Sequence, residues 1–289
     1  MSEAAASARD PRAPLGVFDS GLGGLTVARA LRSRLPSERI VYLGDTARVP
    51  YGTRSAETVV RYARGCARLL TERGVKALVV ACNTVSAVAL DILRAELDLP
   101  VIGVVEPGAR AAVQALQGLS DVAAKIGVLG TTGTVASGAY PRAVGQISTR
   151  LEVVANAAPL LVPLVEEGWL EGEVPRLAVR RYVEPLIEAG ARVIVLGCTH
   201  YPLLKGTIAE VARELAGRPV PVVDSAEATA EAVMSFIADE RIAPSDDPPS
   251  AGEELELLVT DLPASFGKVA ERFLGAAASQ VKQVDLGPA

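Results

Sequence analysis

Short runs in which nearly every position is apolar alternate with longer stretches whose apolar positions recur every three to four residues. The runs are Gly16–Ser20, Ile40–Asp45, Ala77–Cys82, Val101–Val105, Lys125–Thr131, Leu151–Asn156, Arg192–Cys198, Pro221–Ser225 and Glu256–Asp261. Such runs, bounded by glycines or polar turns, read as strands buried on both faces. A helix is expected after the turn GLGG, running through Leu31. Ser55–Arg73 predicts another, because Val59, Tyr62, Cys66, Leu69 and Leu70 share a broad face. Val174–Ala189 reads as mostly helical, with Pro185 a kink or boundary. Asn83, Thr84 or Ser86 can cap the helix after Cys82, and Pro202 suits the first turn of the helix after Cys198. Pro244–Glu254 is a loop by composition, and a short helix is expected over Phe266–Leu274. Strand–helix alternation of this kind predicts an α/β fold with mostly parallel sheets.

The alternation starts twice. GVFDSG at Gly16 can be laid on GVLGTT at Gly127, Pro50 on Pro163, and Gly74-VKALVVA-Cys82 on Gly190-ARVIVLG-Cys198. The offset drifts slowly, as loop insertions would make it. The chain therefore reads as two similar α/β domains related by a pseudo-twofold axis, with the active site in the cleft between them. Residues 15–106 plus 224–289 are assigned to the first domain and 107–223 to the second. Residues 1–14, small and polar, are expected to be a disordered extension.

Composition narrows the classes of function. The chain has 289 residues, 49% hydrophobic and 22% charged, with net charge −5, which argues against a binding mode dominated by nucleic acid or anionic membrane. No apolar run approaches the roughly 20 residues needed to cross a bilayer, and Met1–Pro14 lacks the apolar centre of a signal peptide. A soluble, cytoplasmic protein is expected. Three cysteines without C-x-x-C, and one histidine, predict neither a disulfide framework nor a metal site.

Two of those cysteines carry the chemistry. Cys82 and Cys198 end equivalent strands, and each precedes small polar residues, Asn83-Thr84 and Thr199-His200. The plainer alternative is a pair of unrelated core cysteines. Cys66, on the apolar face of a predicted helix, fits that reading. Ligands of open α/β folds bind beyond the carboxyl ends of strands, so facing domains would bring Cys82 and Cys198 to a ligand from opposite sides. One thiol on each face suits inversion of a stereocentre bearing a weakly acidic hydrogen. One group removes the proton and the other supplies a proton, and a thiol with a pKa near 8.5 can be tuned to either role. Asp19 ends a strand beside a glycine turn and could instead cap the next helix. His200, the only histidine, could serve structure, but it lies two residues from the second thiol. FDSGLGG is not a dinucleotide fingerprint, since Thr26 stands where the third glycine belongs. It can still offer backbone N–H groups to an anion. Arg48 could brace its loop or touch ligand.

Taken in order, FDSGLGGLTV at Phe18, GDTARVPYG at Gly44, ACNTVSA at Ala81, GVVEPG at Gly103, LGTTGTVASGAY at Leu129, VPLVEEG at Val162 and LGCTHYPLL at Leu196 resemble the glutamate racemase family across roughly Leu15 to Leu274. The resemblance implies interconversion of L- and D-glutamate for peptidoglycan, by two cysteines and without pyridoxal phosphate or metal. It implies that Cys82 and Cys198 are the acid/base groups, that Asp19 is associated with the first thiol, and that Glu166 and His200 are associated with the second. Only the resemblance selects Glu166 over Glu167. Ser20, Tyr51, Gly52, Asn83, Thr84, Thr131, Thr134 and Thr199 match substrate contacts, as do Asp19 and His200. A homodimer is the family expectation. Ala158 departs from the pattern, since many relatives carry a cysteine there. The rival readings are an aspartate or hydantoin racemase, a related decarboxylase or isomerase, and a small-anion binding protein without turnover.

Overall fold

A computed structural model describes residues 10–117, 124–239, 241–245, 248–250, 252–278 and 280–287. Their strands are β1 (Leu15–Asp19), β2 (Ile40–Gly44), β3 (Ala77–Val80), β4 (Val101–Gly103), β5 (Lys125–Gly130), β6 (Glu152–Ala157), β7 (Ala191–Gly197), β8 (Val222–Asp224), β9 (Leu255–Val259) and β10 (Val281–Gln283). They form a six-stranded sheet, ordered β10-β9-β2-β1-β3-β4, and a four-stranded sheet, ordered β6-β5-β7-β8. Every pairing is parallel. The β2-β1-β3-β4 portion of the first sheet and the whole of the second run in the same order, so the repeat in the sequence is a repeat in topology. The fold is α/β with two parallel-sheet lobes, and β9 and β10 extend the first beyond β2.

Burial explains the near-continuous apolar runs. Every residue of β1 to β4 is buried, because helices cover both faces of the sheet. The edge strand β6 has no buried residue. One hydrophobic cluster runs unbroken from Leu15, Val17 and Leu25 in the first lobe to Leu161, Val165 and Tyr201 in the second. The lobes are thus joined by a shared core as well as by chain crossings.

Some local expectations need correction. β4 stops at Gly103, and Val105 already begins a helix that runs to Gln117. Ser86 supplies the reason. Its Oγ donates to the Val80 carbonyl at 3.0 Å and accepts from the Val104 N–H at 3.0 Å, tying the ends of β3 and β4 together. Ser86 is therefore no cap, and neither are Asn83 and Thr84. The residue before helix Asn83–Val88 is Cys82 itself, and no side chain caps that helix. Asp19 does not cap helix Leu25–Arg34, whose N-cap is Gly24. Pro185 lies inside helix Glu173–Glu188, in its last turn, and does not end it. Pro202 lies in a 3-10 turn, Tyr201–Leu204, ahead of helix Lys205–Ala216.

The expected disordered extension covers residues 1–9, which fall outside the described residues, and residues 10–14, which are held. The Ala13 N–H donates to the Asp10 carbonyl at 2.9 Å, and Lys76 Nζ donates to the Pro11 carbonyl at 2.7 Å. Lys76 has a nearly inaccessible side chain and also meets Glu38 Oε2 at 2.6 Å and the Ala243 carbonyl at 2.8 Å. A buried ammonium must be paired and hydrogen-bonded, and residue 11 is one of the groups that satisfies it.

The glycine turn after β1 seats the second lobe. A Cβ on Gly23 would lie 2.3 Å from Thr199 Oγ1 and 2.4 Å from His200 Nδ1. Gly23→Ala must therefore push the Thr199–His200 corner away. The expected result is a loss of about 1–3 kcal/mol in urea unfolding together with a fall in kcat/KM. Gly65→Ala is the control, since its Cβ would meet nothing within 4 Å.

Candidate functional site

In each sheet the strand order reverses between two central neighbours, β1 and β3 in one and β5 and β7 in the other. The carboxyl ends flanking such a reversal form the ligand crevice of open α/β sheets. Here the two crevices face one another. The chain leaves β1 at Asp19-Ser20, β3 at Val80-Ala81, just ahead of Cys82, β5 at Gly130-Thr131 and β7 at Gly197-Cys198. Between them lies a cavity of about 310 Å³ that both Cys82 and Cys198 line, one from each lobe. That volume is at the small end for a ligand pocket. Cys66 lies elsewhere, fully buried on helix Ala56–Glu72.

The cavity collects most of the residues singled out in the sequence. Ser20, Tyr51, Gly52, Asn83 and Thr84 line it from the first lobe. Thr131, Glu166, Thr199 and His200 line it from the second. Asp19 and Thr134 stand one layer behind. Asp19 accepts from the Gly21 N–H at 3.0 Å, and Thr134 Oγ1 lies 3.0 Å from Thr131 Oγ1 and 3.4 Å from Thr84 Oγ1. Arg48 braces its loop, with Nε 3.4 Å from the buried Asp45 Oδ1 and its guanidinium 4.9 Å from the centre of the Tyr62 ring.

The sequence reading missed the apolar walls. Val49 and Pro50 come from the loop after β2, and Pro159, Val162 and Pro163 come from the segment after β6. Pro50 and Pro163 were visible as matching points of the repeat, and that equivalence was the available signal. Each lobe sends the segment after its second strand over the cavity.

Hydrogen bonds across the lobes fix the rim. Tyr140 OH donates to Asn83 Oδ1 at 2.8 Å, the Gly133 N–H donates to the Gly52 carbonyl at 2.8 Å, and Thr84 Oγ1 lies 2.9 Å from Thr131 Oγ1. Thr26 Oγ1 donates to the Thr199 carbonyl at 3.1 Å. At this site, among the described residues, Asn83 Nδ2 and Asp19 Oδ1 are buried without a hydrogen-bond partner. Tyr140 fixes the oxygen side of the Asn83 amide. The amide nitrogen is therefore a donor held in place for an incoming acceptor.

The two thiols occupy different electrostatic settings. Burial pushes the Cys82 thiol up to about 12, and the Asp19 carboxylate adds to the rise. A hydrogen bond to Ser20 Oγ, at 3.5 Å, and one with the Val85 N–H oppose it. Cys82 is therefore the protonated form at neutral pH. The Asp19 carboxyl is itself raised by burial, against the pull of His200 and of nearby backbone N–H groups. Cys198 Sγ lies 3.8 Å from His200 Nδ1, and His200 Nε2 lies 3.0 Å from Glu166 Oε1. Burial alone would lower His200, but Cys198 and Glu166 lift it to about 10, so it is an imidazolium at neutral pH. One sulfur thus has a carboxylate for its neighbour and the other a cation. Among the described residues, no group of three or more His, Cys, Asp or Glu side chains is placed to hold a metal ion. No helix among them is long and apolar enough to cross a membrane.

Known proteins share the sequence pattern and the fold. The sequence model of the Asp/Glu/hydantoin racemase family matches residues 25–233. A glutamate racemase of Geobacter metallireducens is 47% identical over 276 residues, 96% of this chain and 98% of its own. Among solved structures, a glutamate racemase of Francisella tularensis in complex with D-glutamate superposes with a TM-score of 0.85 at 33% identity, covering 96% of this chain and 99% of that one. One of Thermus thermophilus, in complex with β-chloro-D-alanine, superposes at 0.83 with 45% identity over the same shares. Fold and matches together define an isomerase. The chain belongs to the Asp/Glu/hydantoin racemase family.

Proposed function

We propose that the chain interconverts L- and D-glutamate by proton transfer at the α-carbon between Cys82 and Cys198. The observation that carries the reading is a thiol at the end of the equivalent strand of each lobe, both lining one cavity. A thiolate on one face removes the α-hydrogen and a thiol on the other delivers a proton. Stereochemistry inverts because the two groups approach from opposite sides. The unequal neighbours of the sulfurs suit unequal roles: Cys82, buried beside Asp19, holds its proton, and Cys198 has the His200 imidazolium beside it. The charge that develops during abstraction spreads onto the α-carboxylate. Pre-placed donors stabilise such charge without reorganisation, and Asn83 Nδ2 is one.

Glutamate is the preferred substrate because the relatives matching along nearly their whole length are glutamate racemases. The second reading, an aspartate or hydantoin racemase, rests on the breadth of the family alone. A role in supplying D-glutamate for peptidoglycan, a cytoplasmic location and a homodimeric state belong to the same proposal. Trp169, Val174 and Leu177, exposed on the second lobe, are apolar surface that a second copy could cover. Circular dichroism of the purified chain with L- or D-glutamate, no cofactor added, tests the function. Each enantiomer should decay to the racemate, and aspartate should remain unchanged. Decay of aspartate but not glutamate would move the assignment to the rival. Absence of deuterium exchange into the α-position of either amino acid would reduce the protein to a binder.

A further inference from the structure

The Glu166–His200 pair of the second lobe is held from the first. Helix Phe266–Leu274 lies between β9 and β10 in the chain and packs on helix Leu25–Arg34. Its Arg272 reaches across to the end of helix Leu161–Glu167. Arg272 Nη1 donates to the Val165 carbonyl at 3.2 Å and also to the Glu166 carbonyl. The last carbonyls of a helix lack intrahelical partners, and a cation there both satisfies them and offsets the negative end of the helix dipole. The helix closes on Gly168 at φ +80°, where an added Cβ would lie 2.5 Å from Arg272 Nη2. The guanidinium fills the space that a side chain would need. The next residue, the fully buried Phe273, sets its ring edge-on to His200, with centroids 5.0 Å apart and planes at 78°. Two consecutive residues of one helix therefore contact both partners of the 3.0 Å Glu166–His200 hydrogen bond.

We propose that Arg272 is a positioning residue, clamping the backbone of Glu166 so that its carboxylate stays on His200, with Phe273 backing the imidazole. Arg272 touches no reacting atom; it acts through the pair. The clamp also links the pair's geometry to contact between the lobes, because its two ends belong to different sheets. Both bonds leave one nitrogen, Nη1, of a rigid planar group, whereas a lysine would bring an ammonium that turns freely on a flexible stem. The proposal rests on the reading that Glu166 and His200 serve Cys198, and the test separates the two.

Arg272→Ala, Arg272→Lys, Glu166→Gln and the double variant Glu166→Gln/Arg272→Ala are compared in the full chain by steady-state racemisation. Arg272→Ala should lower kcat about tenfold with KM within about twofold, and Arg272→Lys should recover part of the loss. In the Glu166→Gln background, Arg272→Ala should cost less than about twofold more, since the group it positions is already gone. Unchanged kcat in Arg272→Ala, or losses that multiply in the double variant, would overturn the clamp. Should the alanine variant fail to fold, the same cycle is run with Arg272→Lys. If Glu166→Gln retains full activity, the role of the pair itself is wrong.

Discussion

Replacing either Cys82 or Cys198 by serine lowers kcat/KM for racemisation by about 10³-fold or more, the scale of removing a positioned acid or base, while substrate still binds. Both directions fall together. Enantiomers have equal free energy in an achiral solvent, so kcat/KM for L-to-D and D-to-L must stay equal in every variant. The surviving thiol, however, still faces one side of the α-carbon. Residual solvent-deuterium exchange, followed by NMR, should therefore be confined to one enantiomer in Cys82→Ser and to the other in Cys198→Ser. Exchange of the same enantiomer in both variants would place both thiols on one face. Full activity in either variant would remove that cysteine from the chemistry.

His200→Asn should cost about 10²-fold in kcat, because it removes the cation 3.8 Å from Cys198 Sγ. The same residue offers a spectroscopic check. It is the only histidine, so untagged protein labelled with ¹³C-histidine gives one imidazole signal. Its midpoint should lie near 10 rather than the ordinary 6.5, since Cys198 and Glu166 outweigh the effect of burial. The groups facing the ring are Cys198, Glu166 and the Asp19 carboxylate. Glu166→Gln should lower the midpoint. The linkage has a definite sign. A histidine whose pKa is raised by folding contributes stability that is complete below about 6.5 and is lost as pH rises toward about 10. Titration near 6.5 in the folded protein would contradict the assigned setting of the second thiol.

The core strands were legible because parallel strands covered on both faces must be apolar at nearly every position. The two thiols were legible because duplication placed them at matching strand ends, a signal no single motif carries. What escaped depends on contacts between distant parts of the chain. The strand Val281–Gln283 is only three residues and carries two polar side chains, so nothing marks it until β9 lies beside it. Helix Ser225–Ala238 is rich in alanine and has weak contrast between its faces. Asp10–Pro14 read as loose because the buried ammonium that holds them belongs to Lys76. Glu166 could be chosen over Glu167 only by resemblance, and the geometry supports that choice through its hydrogen bond to His200. Arg272 had no local signal at all: it lies 106 residues from the carbonyl it holds.

The central claim is that the sulfurs of Cys82 and Cys198 flank a single carbon. A crystal structure with D- or L-glutamate bound measures this directly. With each sulfur in near-attack range, about 3–3.5 Å from the α-carbon, the account predicts sulfurs on opposite faces and roughly 6–7 Å apart. Both sulfurs on one face of the bound amino acid, or either one walled off from it, would contradict the account.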